Sequence, residues 1–383
     1  LSPSAVAGVQ FALRGRGGRA VPAAGMVAVG VIGVATLAAV LTFAASSTHL
    51  LDTPRLYGFN WDVTIGDGFG ETDLRADAER TLAGDPRVAA YATGTIDGAT
   101  VGDRSTALYV LDPVVGSLEP TMVEGRLPYG PGDAVVAAAV ADRLGLELGD
   151  RFEVRRDPSE VFSGGRAGRE QFEAVGIGLF PAIGGIVTNT LGEGVGLTAE
   201  GFGNLVGGEF PHDVVFIRAV EGRADELAAD LAAEGVVPAA EPTELASYGR
   251  LSYLPGLIAG IVALVAGAAL AHGVVTGVRD RRRDVALLRA VGFSRRQVGA
   301  VARWQALTVL ALSTVVGVPL GVVGGRRGWA WFADVQHVLE EIVAPWPPLA
   351  VTVAGLAVLF LAVATLAARP AARLPLAAVL RSE

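Results

Sequence analysis

Few residues in this 383-residue chain are equipped for chemistry, and their spacing narrows the choice further. The four histidines, His49, His212, His272 and His337, lie in separate regions with no ligand spacing between them, which argues against a metal site. There is no cysteine, so neither a disulfide framework nor a thiolate zinc site can form. All 31 basic residues are arginine. Without lysine there is no P-loop lysine for nucleotide hydrolysis and no Schiff-base chemistry. Gly164, Gly165 and Gly168 cluster between predicted strands instead of opening a helix, so they do not qualify as a phosphate loop. The many carboxylates read as solvated acidic surface. The chain is expected to catalyse nothing by itself and to hold no cofactor or metal of its own.

What remains is charge and apolar surface combined, in the stretch 279–301, RDRRRDVALLRAVGFSRRQVGAV. Arg279, Arg281, Arg282 and Arg283 lead into Asp284. Leu287 and Leu288 precede Arg289, and Val291, Gly292, Phe293 and Ser294 precede Arg295 and Arg296. Val285, Leu288 and Val291/Gly292 recur at helical spacing, which predicts a short amphipathic helix. Gly292 can stop that helix and Ser294 can cap the next. From the residues alone two readings stand. Either the helix docks on a cytosolic partner, or the arginines only set topology while the apolar residues rest on the bilayer.

The elements that position this stretch are membrane spans. The chain is 51% hydrophobic with a mean hydropathy of +0.47, too apolar for an ordinary soluble protein. Spans are expected at 21–48, 253–278, 304–325 and 348–369, each long enough for a hydrocarbon core of roughly 30 Å. Pro319 is expected to kink the third. No charged residue falls at the centre of a span, which argues against a proton- or ion-coupled carrier. Gly256 with Gly260, and Gly317 with Gly321, are spaced for close helix contact. Arginine flanks the segments 1–20, 279–303 and 370–383, which places them in the cytoplasm, and 326–347 becomes an outer loop. Arg326 and Arg327 are the dissenting charges. The fold class expected is a membrane protein with four transmembrane α-helices, both termini cytoplasmic, multi-pass in the plasma membrane. A mixed α/β extracytoplasmic domain is inserted between the first and second spans.

That domain, residues 49–252, is the acidic part of the chain. Between Leu50 and Ser252 there are 33 acids against 15 arginines; the rest of the chain has 6 against 16. Strands are predicted at Val88–Ile96, Ala107–Leu111, Ala134–Ala137, Arg151–Val154, Phe172–Ile177 and Val214–Ala219. Helices are predicted at Asp73–Leu82, Ala138–Leu144 and Ala224–Ala233. About 200 residues suffice to bury a core. The glycine-rich stretch 179–210 is read as either a mobile loop or a lipid-facing edge.

Three stretches resemble the FtsX/MacB-like class of ABC transporter permeases. The linker DVALLRAVGFSRRQV (Asp284–Val298) resembles that family's cytoplasmic signature, and ARPAARLPLAAVLRSE (Ala368–Glu383) its closing motif. Gly125-Arg126 followed by DAVVAAAVADRLGLELGDRFEV (Asp133–Val154) resembles its extracytoplasmic, MacB-like core. The resemblance implies a separate ABC ATPase subunit that binds ATP and Mg. On that subunit dock Arg282, Arg283, Asp284, Leu287, Leu288, Arg289, Val291, Gly292, Phe293, Ser294, Arg295 and Arg296. It implies export or extraction of a lipid, lipoprotein, peptide or hydrophobic compound. The alternative it carries is a mechanotransmitter that activates an extracytoplasmic partner such as a cell-wall hydrolase. Further expected partners are membrane lipid and a second permease half or a second copy; nucleic acid is not among them. The opening GVQFALRGRGGRAVPAAG and the later PRLYGFNWD resemble the C-terminal half of a large duplicated actinobacterial permease, so the chain reads as a fragment of a longer protein.

Overall fold

The computed structural model describes residues 2–13, 21–66, 73–156, 166–181, 192–208, 212–233, 256–265, 267–268, 272 and 292–373. Helices α1 (Pro3–Leu13) and α2 (Val21–Leu51) open the chain. The middle carries strands β1 (Val63–Ile65), β2 (Val88–Val101), β3 (Arg104–Val115), β4 (Thr121–Gly125) and β5 (Asp133–Ala137). Strands β6 (Arg151–Arg156), β7 (Gly168–Leu179), β8 (Val195–Leu197) and β9 (Val214–Ala219) follow. Among them lie helices α3 (Arg75–Leu82), α4 (Ala138–Leu144), α5 (Ala199–Val206) and α6 (Ala224–Ala233). Then come α7 (Gly256–Val265), α8 (Arg295–Gln336) and α9 (Trp346–Arg373). Two compact units result. One is Leu1–His49, Ser252–Ala330 and Ile342–Glu383; the other is Leu50–Leu251 with Trp331–Glu341.

Among the described residues three helices have the length and apolarity to cross a membrane: Gly25–Leu51, Arg296–Gln336 and Trp346–Leu366. The expected second span is described only in part, as α7 and the helical positions 267, 268 and 272. Side chains such as Ile32, Val315, Val351 and Val358 stand more than half exposed, as lipid-facing residues do. The inward stripe gathers Val34, Leu37, Ala306, Val309, Leu310, Leu356 and Phe360 into one cluster.

Helix α8 departs from the sequence expectation of a 304–325 span followed by a loop. It runs for 42 residues, about 63 Å at ~1.5 Å per residue, passes Pro319 and continues through Arg326 and Arg327. Packing sustains the extra turns. Trp329 is 1% exposed and stands edge-on to Phe43 of α2 with centroids 5.4 Å apart, and Ala333 is also buried.

The pair Gly317 and Gly321 is used, and Gly325 extends it. A Cβ on these three would lie 2.9, 2.2 and 2.7 Å from the carbonyl oxygens of Val31, Ala35 and Ala39 on α2. Only residues without a side chain allow two helix backbones so close. Gly256 and Gly260 have nothing within 4 Å, so the equivalent pair on α7 makes no such contact among the described residues.

In the second unit the order β1-β9-β2-β3-β8-β5-β7-β4 forms one sheet, and β6 pairs with both β2 and β7. Six strands, β2-β3-β8-β5-β7-β6, thereby close into a ring of ladders. Most pairs are antiparallel; β3 with β8 and β5 with β7 are parallel. The main core includes Ala92, Ile96, Tyr109, Val135, Phe172, Phe202 and Phe216, all essentially inaccessible. A second cluster forms where α3 and α6 lay Ala78, Leu82, Leu227 and Leu231 against Val63, Tyr91 and Ile217. Within 192–208 the glycine-rich stretch is neither mobile loop nor lipid edge. It supplies β8, a central strand, and α5, whose first turn is capped by Thr198 accepting from Gly201 N at 3.0 Å. Residues 182–191 and 209–210 of that stretch lie outside the described residues.

The tail of α8 belongs to this second unit. Leu339 N donates to Leu56 O at 3.0 Å, Glu341 pairs with Arg55 at 3.0 Å, and His337 Nε2 lies 3.2 Å from Asp142.

A polar cluster holds the start of α3 against β2 and β3. Arg75 donates to Asp112 at 2.5 Å and approaches His212 Nε2 at 3.3 Å, while His212 Nδ1 lies 3.0 Å from Thr93 Oγ1. A guanidinium beside Nε2 requires that nitrogen to accept, so Nδ1 carries the proton and donates to Thr93. Burial, then the charge of Arg75, push the His212 pKa below its ordinary 6.5, against the opposing pull of Asp73 and Asp112. The unfolded chain therefore takes up this proton first. Stability contributed here is complete above about pH 6.5 and declines as pH falls below that value. Thermal unfolding of the detergent-purified protein at pH 7.5 and 5.5 should show a smaller drop for His212→Gln than for wild type. An equal drop would place the acid sensitivity elsewhere.

Candidate coupling site at the start of α8

Of the twelve residues expected to form the coupling interface, Arg282, Arg283, Asp284, Leu287, Leu288, Arg289 and Val291 lie outside the described residues. Gly292, Phe293, Ser294, Arg295 and Arg296 are described, and they form the turn that launches α8. Gly292 has φ 102°, a left-handed conformation that a side chain would strain. It suits a residue that ends one helix before another begins.

The next step is a reciprocal cap. Gln297 N donates to Ser294 Oγ at 3.3 Å, and Ser294 N donates to Gln297 Oε1 at 2.7 Å. Two amide groups that the first helical turn would leave without acceptors are thereby satisfied. Val298 N then donates to Ser294 O at 3.1 Å, which starts the helical ladder. Half-buried Phe293 and buried Val298 occupy the positions just before the cap and four residues into the helix, the pair a hydrophobic staple uses.

Electrostatically this helix start is unusual. Its first turn has no acidic residue and carries Arg295 and Arg296, against the positive end of the helix dipole. For Arg296, which is exposed, such a placement costs about 0.3–1 kcal/mol. Arg296 and Arg303, both exposed and seven residues apart, project from the same side of the helix. Cations kept where the backbone disfavours them suit an anionic partner surface or the cytoplasmic border of a span.

The other side of these turns is covered by α1, which the sequence reading left as an undifferentiated cytoplasmic segment. A Cβ on Gly8 would fall 2.5 Å from Trp304 Cβ and 2.7 Å from Val301 O. Ser4, Ala5 and Ala12 are buried with it, so small residues four apart form the contact face. That spacing was visible in the sequence, but without a partner helix it carried no meaning. Among the described residues no group of three His, Asp or Glu side chains is placed to hold a metal ion.

No curated protein matches the chain. Residues 256–376 match the FtsX-like permease C-terminal family. The matched segment takes in α7, the capping turn and the whole of α8 and α9. FtsX-like permeases are membrane subunits of ABC transporters and work with an ABC ATPase. Over residues 256–376 the chain is thus similar to an FtsX-like permease C-terminal domain, which is consistent with a permease of that kind.

Proposed function

We propose that this permease couples ATP hydrolysis by a separate ATPase subunit, which binds ATP and Mg, to movement of the sheet unit on the far side of the plasma membrane. The segment 253–278 completes a set of four spans, both termini are cytoplasmic, and residues 49–252 are extracytoplasmic. The observation that carries this reading is the capping turn Gly292–Gln297 at the head of a 42-residue helix. A linker helix ending at Gly292 would hand any displacement to α8 without a flexible joint. Arg282, Arg283, Arg289, Arg295 and Arg296 would meet acidic groups of the ATPase, with Leu287, Leu288, Val291 and Phe293 in its apolar groove. The load is a lipid, lipoprotein, peptide or hydrophobic compound taken from the membrane or its outer surface. The permease acts as one half of a pair, completed by a second permease half or a second copy.

The test is co-purification with a candidate ABC ATPase subunit, reading stimulated ATP hydrolysis in the same samples. Leu288→Asp with Arg289→Glu should abolish both binding and stimulation while membrane insertion stays normal. Ser294→Ala removes the cap, at about 1 kcal/mol. It should retain binding and lower stimulation, because docking survives and transmission loosens. Full binding by the Leu288/Arg289 double variant would remove the linker from the interface.

A further inference from the structure

The sheet unit is acidic, yet its arginines are unevenly spread. Five of the 15 between Leu50 and Ser252 fall within nineteen residues, Arg151, Arg155, Arg156, Arg166 and Arg169. They lie on β6, at the start of β7 and just before it, where the ring of ladders is thinnest. β2 and β6 share only two registered pairs, Thr100↔Arg155 and Val101↔Val154. Beside this seam opens a cleft of about 800 Å³.

Register builds the cleft's donor row. Ser105 stands opposite Thr100, Thr100 opposite Arg155, and Arg155 opposite Arg169. Directly opposed residues share a sheet face, so two hydroxyls and two guanidiniums line up across four strands, and all four border the cleft. Like charges directly opposite on a ladder destabilise it. The nearest relief is Glu153, 3.7 Å from Arg155 Nε and 3.6 Å from Arg169 Nη1, beyond the 2.7–3.2 Å of a hydrogen bond. Arg155 is steadied by donating from Nη2 to Gly102 O at 3.2 Å. Arg156 forms a fixed wall: it is 2% exposed, donates to Asp97 at 2.7 Å, and also donates to Arg166 O at 3.0 Å. Asp103 is the one carboxylate bordering the cleft among its described lining residues, against three guanidiniums.

We propose that this seam binds a phosphate-type oxyanion, whether the headgroup of a phospholipid or a soluble phosphate. Two forked guanidiniums with two hydroxyls beside them present donors from several directions, which suits a tetrahedral group with several oxygens better than a planar carboxylate. Binding would also offset the Arg155–Arg169 repulsion across the ladder. The site does not depend on the ATPase reading, since it lies wholly within the sheet unit and is testable with the permease alone.

The experiment is calorimetric titration of the full chain in a non-ionic detergent with three probes: dihexanoylphosphatidylglycerol, neutral dihexanoylglycerol and inorganic phosphate. Dihexanoylphosphatidylglycerol, phosphate or both should bind, and dihexanoylglycerol should not. Binding should weaken at least tenfold in Arg155→Gln with Arg169→Gln, and also when salt rises from 50 to 500 mM. Binding of the lipid probe alone identifies a headgroup site, and equal binding of phosphate identifies a soluble anion. Without any probe the double variant should melt no lower than wild type, because an opposed charge pair has been removed. If it melts lower, Arg169→Lys is the deciding variant, since it keeps the charge and loses the fork, and it should still weaken the probe. Absence of binding by both anionic probes, or binding unchanged in these variants, overturns the proposal.

Discussion

Gly321→Leu should abolish the native packing of α8 against α2. Its first added atom would sit 2.2 Å from the carbonyl oxygen of Ala35 and 2.6 Å from Ala38 Cβ. Neither neighbour is the free end of a flexible side chain, so one backbone must retreat from the other. Overpacking a well-fitted interior costs about 1–3 kcal/mol, sometimes more. Here retreat also opens the contacts at Gly317 and Gly325. A loss at or beyond the upper end of that range is expected, seen as aggregation on size-exclusion chromatography or a large fall in melting temperature. Gly324→Leu is the matched control. It sits on the same helix three residues away with nothing within 4 Å of the added carbon, and should behave as wild type. Equal loss in both would mean that leucine at this depth, and not the helix contact, does the damage.

Asp97→Ala should damage the sheet unit comparably. Asp97 and Arg156 are 4% and 2% exposed, and their hydrogen bond is 2.7 Å long. Asp97 Oδ1 additionally accepts from Gly98 N at 2.8 Å. Removing the carboxylate leaves a guanidinium charge in the interior, which typically costs about 3–5 kcal/mol. A buried pair is a weaker contributor than that figure suggests, because both charges were desolvated to make it. Asp97→Leu combined with Arg156→Met should therefore recover most of the loss. Denaturant unfolding of the three proteins decides the matter. If the double variant is as unstable as Asp97→Ala, the pair itself, and not the stranded charge, holds this part of the sheet.

These two sites differ in how far the sequence foretold them. Gly317 and Gly321 stood out by spacing, but so did Gly256 and Gly260, which pack on nothing among the described residues. In a chain with 51 glycines only the partner helix separates the two cases. Asp97–Arg156 was illegible, because the residues are 59 apart and β2 reads as a strand with or without a charge inside it. Where one element carries its own signal the reading was close. Ala138–Leu144, Val214–Ala219 and Ala224–Ala233 form just where apolar periodicity and flanking turns placed them. β8 and α5 were missed because glycine masks both periods; what packs β8 is Phe180 over Gly194 and Gly196, with Tyr109 over Gly194. The capping turn was legible because its chemistry is local. Serine followed three residues later by glutamine needs only the backbone between them. The length of α8 was not, since what carries it past Arg327 is Trp329 meeting Phe43, a contact between residues far apart in sequence.

That length has a geometric consequence. Within the first unit α8 is fixed to α2 by the glycine stripe Gly317, Gly321 and Gly325 and then by Trp329 against Phe43, which together set its azimuth. One inserted residue would swing everything beyond it by about 100° and advance it by about 1.5 Å. Seven would restore the phase to within about 20°. The helix can therefore grow or shrink only in near-whole numbers of double turns. Single insertions and deletions between Gly325 and Trp329 force a choice between the glycine contacts and the Trp329–Phe43 contact.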